Sequence, residues 1–168
     1  MGHIISFTNQ KGGVGKTTSA VNVALSLGVT EEKTLLIDLD PQANATTGVM
    51  DISDPPTSSI YDVLIKDVPV KDAITSTKFP ELDLIASTND LVGAEIELVS
   101  IMAREYQLQK CLKFIKKKYK FIIIDCPPSL GLLTINALTA SDSIIIPIQC
   151  EYYALEGLGQ LLNTVRLV

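Results

Sequence analysis

Short runs of apolar, β-prone residues alternate along the chain with stretches in which apolar positions recur at helical spacing. Ile4 to Thr8 leads into a glycine-rich turn, after which Ala20, Val21, Ala24 and Leu25 mark one face of a helix that begins near Thr17. Thr34 to Leu39 is almost wholly apolar until Asp38, the pattern of a strand covered on both faces of a parallel sheet. Ala43 to Ser59 is rich in Asn, Thr, Ser, Asp and Pro and reads as mostly loop. Short helices follow around Ile60 to Ile65 and Val70 to Ile74. A strand at Leu82 to Ala86 precedes a long amphipathic run from about Leu91 to Lys118. That run reads as one or two helices, with Leu98, Met102, Leu108, Leu112 and Ile115 on or near the inner face. The most apolar strand, Phe121 to Ile124, ends at Asp125. Pro127 and Pro128 forbid its continuation because neither has an amide hydrogen to donate. A helix at about Leu132 to Thr139, a strand at Ser143 to Ile146 and a helix from about Leu155 complete the alternation. It predicts an α/β fold with a mainly parallel sheet and helices on both faces.

Composition narrows the class. A chain of 168 residues with 46% hydrophobic content buries one core and makes one domain. A net charge of -5 gives no overall attraction to phosphate backbones, so contact with nucleic acid would require a local patch. The basic run Lys116 to Lys118, with Lys120, reads first as solvation of a helix end, where it favours the negative pole; a nucleic-acid patch is the alternative. Three cysteines, Cys111, Cys126 and Cys150, lack CxxC spacing and suit a reducing compartment, hence the cytoplasm. There is no long apolar span and no secretory layout in the first residues. Met1, Gly2 and Ser6 satisfy a permissive myristoylation template, but Ile4 and Ile5 already belong to a buried strand, so no lipid anchor is expected. Beyond Gly159 the last helix runs to Val168 without a glycine, a proline or a polar tail to stop it. The domain therefore reads as truncated at its C-terminal end.

The chemistry sits between the first strand and the first helix, where the sequence reads Lys11, Gly12, Gly13, Val14, Gly15, Lys16, Thr17, Thr18. Glycines let a backbone turn with its amides pointing inward, and those amides together with a helix N-terminus hold anionic oxygens. This is a phosphate-binding loop, with Lys16 reaching the β- and γ-phosphates, the Thr17 hydroxyl ligating magnesium and Thr18 touching the α-phosphate. The strict GxxxxGK[ST] pattern fails at its first position, which is Gln10. On residue chemistry alone Lys11 is either a solvated lysine that raises the local potential or a functional group. Asp125 has the position of the acid that holds magnesium through water. Asp38 and Asp40 flank Leu39 and point to one side by strand alternation. They suit metal coordination and positioning of an attacking water, or, for one of them, capping of the following turn.

KGGVGKTT, with its additional lysine at Lys11, resembles the deviant Walker A motif of the ParA and MinD group of P-loop ATPases. LLIDLDPQANAT (Leu35 to Thr46), FIIIDCPPSLGLLTINAL (Phe121 to Leu138) and PIQCEYYALEGL (Pro147 to Leu158) are similar to ParA partition proteins in particular. The resemblance covers essentially the whole chain. It implies an ATP- and Mg2+-dependent ATPase, slow and partner-stimulated, that acts in chromosome or plasmid segregation. It further implies that Lys11 reaches across a dimer to the partner's nucleotide, Lys16 holds phosphates, Thr17 holds magnesium, Asp40 orients the hydrolytic water, and Asp38 and Asp125 lie near the metal. The implied partners are a second copy of the chain, a ParB-type centromere-binding protein and nonspecific DNA. By the same resemblance the C-terminal strands of the sheet, much of the adenine contact and most DNA-binding residues are expected outside this chain, with no membrane partner.

Three other readings compete. A MinD-like membrane-cycling ATPase would need a C-terminal amphipathic helix that the sequence does not contain. A nucleotide-binding module without turnover would follow if the adenine and dimer contacts are incomplete. An iron–sulfur ATPase would use Cys126 beside Asp125, but the cysteine spacing does not clearly supply a cluster. Cys126 and Cys150 are more simply small apolar residues at strand ends. His3 is expected to be exposed at a strand entrance, and Tyr152 and Tyr153 to pack.

Overall fold

The computed structural model, which describes residues 2–51, 53, 55–150 and 154–167, gathers the apolar runs into one six-stranded sheet. The strands are β1 (His3–Phe7), β2 (Thr34–Asp38), β3 (Ile74–Ser76), β4 (Leu82–Ile85), β5 (Phe121–Asp125) and β6 (Ser143–Ile145), in the order β3-β4-β2-β5-β1-β6. All pairings are parallel except that of the edge strand β3, which runs antiparallel to β4. The helices are α1 (Lys16–Val29), α2 (Asn44–Val49), α3 (Ile60–Ile65), α4 (Leu91–Glu97), α5 (Gln107–Leu112), α6 (Leu132–Ala140) and α7 (Ala154–Leu167).

Strand alternation divides the core between the two faces of the sheet. Leu35, Ile37, Ile122 and Ile124 point to one side and pack under residues of α3, α4, α5 and α6, while Leu36, Ile123 and Leu84 point to the other and meet Ala20 and Ala24 of α1. The small face of α1 has a physical reason: a Cβ at Gly28 would stand 2.7 Å from the carbonyl oxygen of Pro80. The central strands carry no exposed side chain, so they read as continuous apolar runs.

Four expectations need correction. Within the stretch read as mostly loop, Asn44–Val49 is helical, because Asp38 supplies an acceptor for the free amide of Thr46 in the helix's first turn. Strand β3, only three residues long, was not foreseen; Ile74 begins it instead of closing a helix. The run from Leu91 to Lys118 is broken into α4, 3-10 turns at Leu98–Ser100, Arg104–Tyr106 and Lys116–Lys118, and α5. At the break Ala103 takes a left-handed conformation with φ 52°, and Met102, expected near the inner face, is 89% exposed. Buried Asn136 wins this competition with helix continuation by accepting from the Leu108 amide (3.1 Å) and donating to the Arg104 carbonyl (2.8 Å). Leu98, Leu108, Leu112 and Ile115 are buried as expected. In the basic run, Lys117 and Lys118 are exposed, whereas Lys116 pairs with Asp142 at 2.8 Å. His3 is exposed at the entrance to β1 and bonds Ser143 Oγ at 2.9 Å. Tyr152 and Tyr153 lie outside the described residues.

Candidate functional site

The C-terminal ends of β1, β2 and β5 converge, because β5 is paired to both of the others with Asp125 in register with Phe7 on one side and Asp38 on the other. Main-chain bonds continue past the strands: Cys126 N to Phe7 O at 3.1 Å and Leu39 N to Asp125 O at 2.9 Å. Ligand crevices of open α/β sheets form at such strand ends.

After β1, the loop from Asn9 turns back to start α1. Gly13 (φ 74°) and Gly15 (φ 88°) occupy the left-handed region, which explains glycine at these two positions. Val14 between them is buried and anchors the loop. Two residues not singled out from the sequence brace it: Asn9 Oδ1 accepts from the Lys11 amide at 3.0 Å and its Nδ2 donates to Pro147 O at 2.8 Å, while Gln149 Nε2 donates to Gly13 O at 3.0 Å. The loop and its surroundings enclose a cavity of about 380 Å³ lined by Gly12, Gly13, Gly15, Lys16, Thr17 and Thr18. Asp40, Gln42, Asn44 and Pro128 supply the rest of its wall. A hollow of about 410 Å³ beside α3 and α5 is lined mainly by hydrocarbon, including Val63, Val70 and Phe114. It shares no lining residue with the glycine-loop cavity.

Lys16 is buried, with Nζ donating to Lys11 O at 3.0 Å. Burial pushes its pKa down, opposed by the charges of Asp125 and Asp40. Lys11 is exposed on the same loop. Asp125 is fully buried, and neither carboxylate oxygen has a well-directed hydrogen bond among the described residues. Burial lifts its pKa to about 7; the nearby Thr17 hydroxyl and Lys16 lower it, and the charges of Asp38 and Asp40 raise it. Such an orphaned acid is costly to ionise unless a cation or proton joins it. No group of three or more His, Cys, Asp or Glu side chains among the described residues is arranged to hold a metal ion. A hard cation that takes one or two protein oxygens, water and phosphate is the kind that this donor set fits.

The two acids after β2 have different surroundings. Asp38 Oδ2 accepts from both the amide (2.7 Å) and the hydroxyl (2.8 Å) of Thr46, and Oδ1 accepts from the Asp40 amide at 3.0 Å. Its pKa still rises to about 6, because burial outweighs those bonds. Asp38 is thus engaged with the turn after β2 and with the first turn of α2. Asp40 is buried in the cavity wall, with Oδ1 accepting from the Gln42 amide at 3.0 Å. Thr46, Gln42, Asn44 and Pro128 were not anticipated as site residues. For Thr46 a signal existed, since a hydroxyl residue a few positions after a strand-end acid is a potential capping partner.

The family model for AAA_31, an AAA domain, matches residues 2–168. The chain is 58% identical over 168 residues to the sporulation initiation inhibitor protein Soj of Bacillus subtilis, covering 100% of this chain and 66% of that one. It is 52% identical to the chromosome partitioning protein ParA of Myxococcus xanthus, covering 100% of this chain and 59% of that one. The chain thus spans less than two thirds of the length of these relatives. A structure of cobyrinic acid a,c-diamide synthase from Mycobacterium smegmatis with bound ADP and magnesium superposes with a TM-score of 0.93 at 39% identity, covering 100% of this chain and 68% of that one. No helix among the described residues is long and apolar enough to cross a membrane. A glycine loop with two left-handed turns, a buried lysine, an orphaned strand-end acid and this likeness along the full chain place the protein in the AAA_31 family, within the ParA and MinD group of P-loop ATPases.

Proposed function

We propose that this chain is the nucleotide-binding domain of a ParA-type partition ATPase, which binds ATP with magnesium at the ends of β1, β2 and β5 and hydrolyses it. The observation that carries the reading is the buried carboxylate of Asp125, with only the Thr17 hydroxyl and Lys16 close by to offset its charge, behind the glycine loop that presents both. In this reading the loop amides and Lys16 hold the phosphate oxygens, Thr17 and Asp125 hold the magnesium, directly and through water, and Thr18 contacts the α-phosphate. Bound magnesium supplies neutralisation of charge on the phosphate oxygens. Asp40, in the cavity wall, orients the attacking water. Asp38 keeps Asp40 in place through its bond to the Asp40 amide. The reported relatives with more than half their residues identical are a sporulation inhibitor and a partition protein, whereas the diamide synthase is more distant at 39%, which favours partition over amide synthesis.

Lys11, exposed on the loop, would reach the triphosphate bound by a second copy, so that the dimer depends on the γ-phosphate and dissolves on hydrolysis. A ParB-type protein stimulates that step, nonspecific DNA binds the dimer through residues largely outside this chain, and the protein works in the cytoplasm on the nucleoid. Light scattering with ATP and magnesium, with ADP, or without nucleotide tests this. A dimer is expected only with ATP, persisting in Asp40→Ala and absent in Lys11→Ala. A monomer in every condition, with nucleotide binding confirmed, would sink the dimer switch.

A further inference from the structure

The segment 126–131 joins Asp125 to α6 and contributes Pro128 to the cavity wall. Pro127 and Pro128 have no amide hydrogens, so the segment is held mainly at its ends. At the start Cys126 N bonds Phe7 O, and at the far side Thr134 Oγ1 bonds Ser129 O at 2.7 Å. The first turn of α6 exposes amides that no residue of that helix can satisfy, and its N-cap, Gly131, has no side chain to do so. The acceptor comes from α4: the Glu95 carboxylate takes the Leu132 amide at 2.8 Å and the Leu133 amide at 3.3 Å. A negative group at this end also suits the helix dipole.

Gly131 shows that this contact dictates its surroundings. Its φ of -80° and ψ of -174° are extended backbone that any residue adopts. A Cβ there, however, would lie 2.2 Å from Glu95 Oε1 and 2.6 Å from its Cδ. Space, and not a special backbone conformation, is what glycine supplies at 131: a Cβ would push aside the carboxylate of a residue 36 positions earlier.

We propose that Glu95 is a positioning residue for the nucleotide site: by capping α6 from α4 it fixes segment 126–131, and with it Pro128 and the strand end that carries Asp125. The proposal rests on the ATPase reading for its kinetic consequence but not for its structural one. It is tested in the full chain by steady-state ATP hydrolysis together with amide hydrogen exchange, on wild type, Glu95→Ala, Glu95→Gln, Gly131→Ala and the double variant Glu95→Ala/Gly131→Ala.

A displaced catalytic segment lowers kcat more than it alters ATP binding, so Glu95→Ala should lose about ten- to a hundredfold in kcat with KM within about twofold. Glu95→Gln retains an acceptor oxygen and should recover most of that loss. Gly131→Ala should lose as much as Glu95→Ala or less, since the carboxylate can shift aside, and the double variant should be no worse than Glu95→Ala, since both changes act on one contact. Exchange at Ser129, Leu130 and Gly131, as well as at Leu132 and Leu133, should quicken in Glu95→Ala. Unchanged kcat, or multiplicative losses in the double variant, would overturn the proposal. If the wild type hydrolyses no ATP, the ATPase reading fails by itself. Exchange then decides: faster exchange at 129–131 supports the latch, and a change confined to Leu132 and Leu133 refutes it.

Discussion

Asp125 gives the structure its sharpest pH dependence. In the nucleotide-free protein, kept free of divalent cations by a chelator, its folded pKa of about 7 stands above its ordinary value of 3.8. The folded state therefore holds this proton more tightly than the unfolded chain does. Its contribution is fully favourable below about pH 4, and it declines as pH rises through the window from 3.8 to about 7. At 1.36 kcal/mol per pH unit, the ionised carboxylate costs the folded protein about 4 kcal/mol once the pH is above that window. Asp125→Asn removes the charge but buries an amide that has no acceptor beyond the Thr17 hydroxyl, which returns about 1–2 kcal/mol of the gain. The net expectation at pH 8 is a variant more stable than wild type by about 2–3 kcal/mol. For a chain of this size that is about 5–10 °C in Tm. At pH 5 the folded carboxyl is protonated and the cost has fallen to about 1.6 kcal/mol, which the buried amide offsets, so the gain should vanish.

The assay is thermal unfolding followed by far-UV circular dichroism at pH 5, 6, 7 and 8, with and without Mg·ATP. Magnesium nucleotide should reverse the order of stability at pH 8, because a cation beside the carboxylate removes the cost of its charge in wild type and has no charge to meet in the variant. Asp38, whose pKa of about 6 is raised chiefly by burial, leaves a smaller dependence of the same sign between pH 4 and 6. A wild-type Tm flat from pH 5 to 8 without nucleotide, or an Asp125→Asn variant less stable than wild type at pH 8, would refute the reasoning.

Other substitutions probe separate links. Thr46→Val removes the hydroxyl that bridges Asp38 and the Ser87 amide, leaving a buried donor unpaired, and should cost about 2–4 kcal/mol in urea unfolding. Gly28→Ala forces α1 away from the Pro80 carbonyl and should cost about 1–3 kcal/mol by the same measurement, although alanine is the better helix former. Lys16→Ala should weaken Mg·ATP binding about ten- to a hundredfold by calorimetry, while apo stability holds or rises because a buried cation has been removed.

The parts of this fold that were readable in the sequence are those where local pattern and tertiary environment agree. Leu35, Leu36 and Ile37 are all fully buried, so an unbroken apolar run has one meaning, and Gly13 and Gly15 take the conformation that only glycine takes easily. What escaped the sequence was decided by partners distant along the chain. The segment after Leu91 has helical spacing but is cut where Asn136, from α6, claims the main chain at Arg104 and Leu108. The polar stretch after Ala43 becomes helical because an acid from β2 caps it. Asp38 and Asp40 look equivalent by strand alternation, yet the first accepts three hydrogen bonds from Thr46 and the Asp40 amide while the second lies in the cavity wall.

That division of labour explains how the site can respond to a phosphate. Asp38 binds Thr46, and the Thr46 hydroxyl accepts from Ser87, so the ends of β2 and β4 and the start of α2 form one buried hydrogen-bonded unit. Leu39 N to Asp125 O and Cys126 N to Phe7 O join that unit to β5 and β1. The backbone around the cavity is thus rigid on the side of the strands. Two charged groups here have room for a further partner: Lys16, whose ammonium leans on a loop carbonyl, and Asp125, which has no well-directed hydrogen bond among the described residues. A ligand that brings both anionic oxygens and a cation completes the bonding of both groups at once. A ligand without the cation leaves Asp125 a buried charge or a proton acceptor. Under the proposed ATPase reading, discrimination between metal-bound and free nucleotide would follow from this one buried carboxylate.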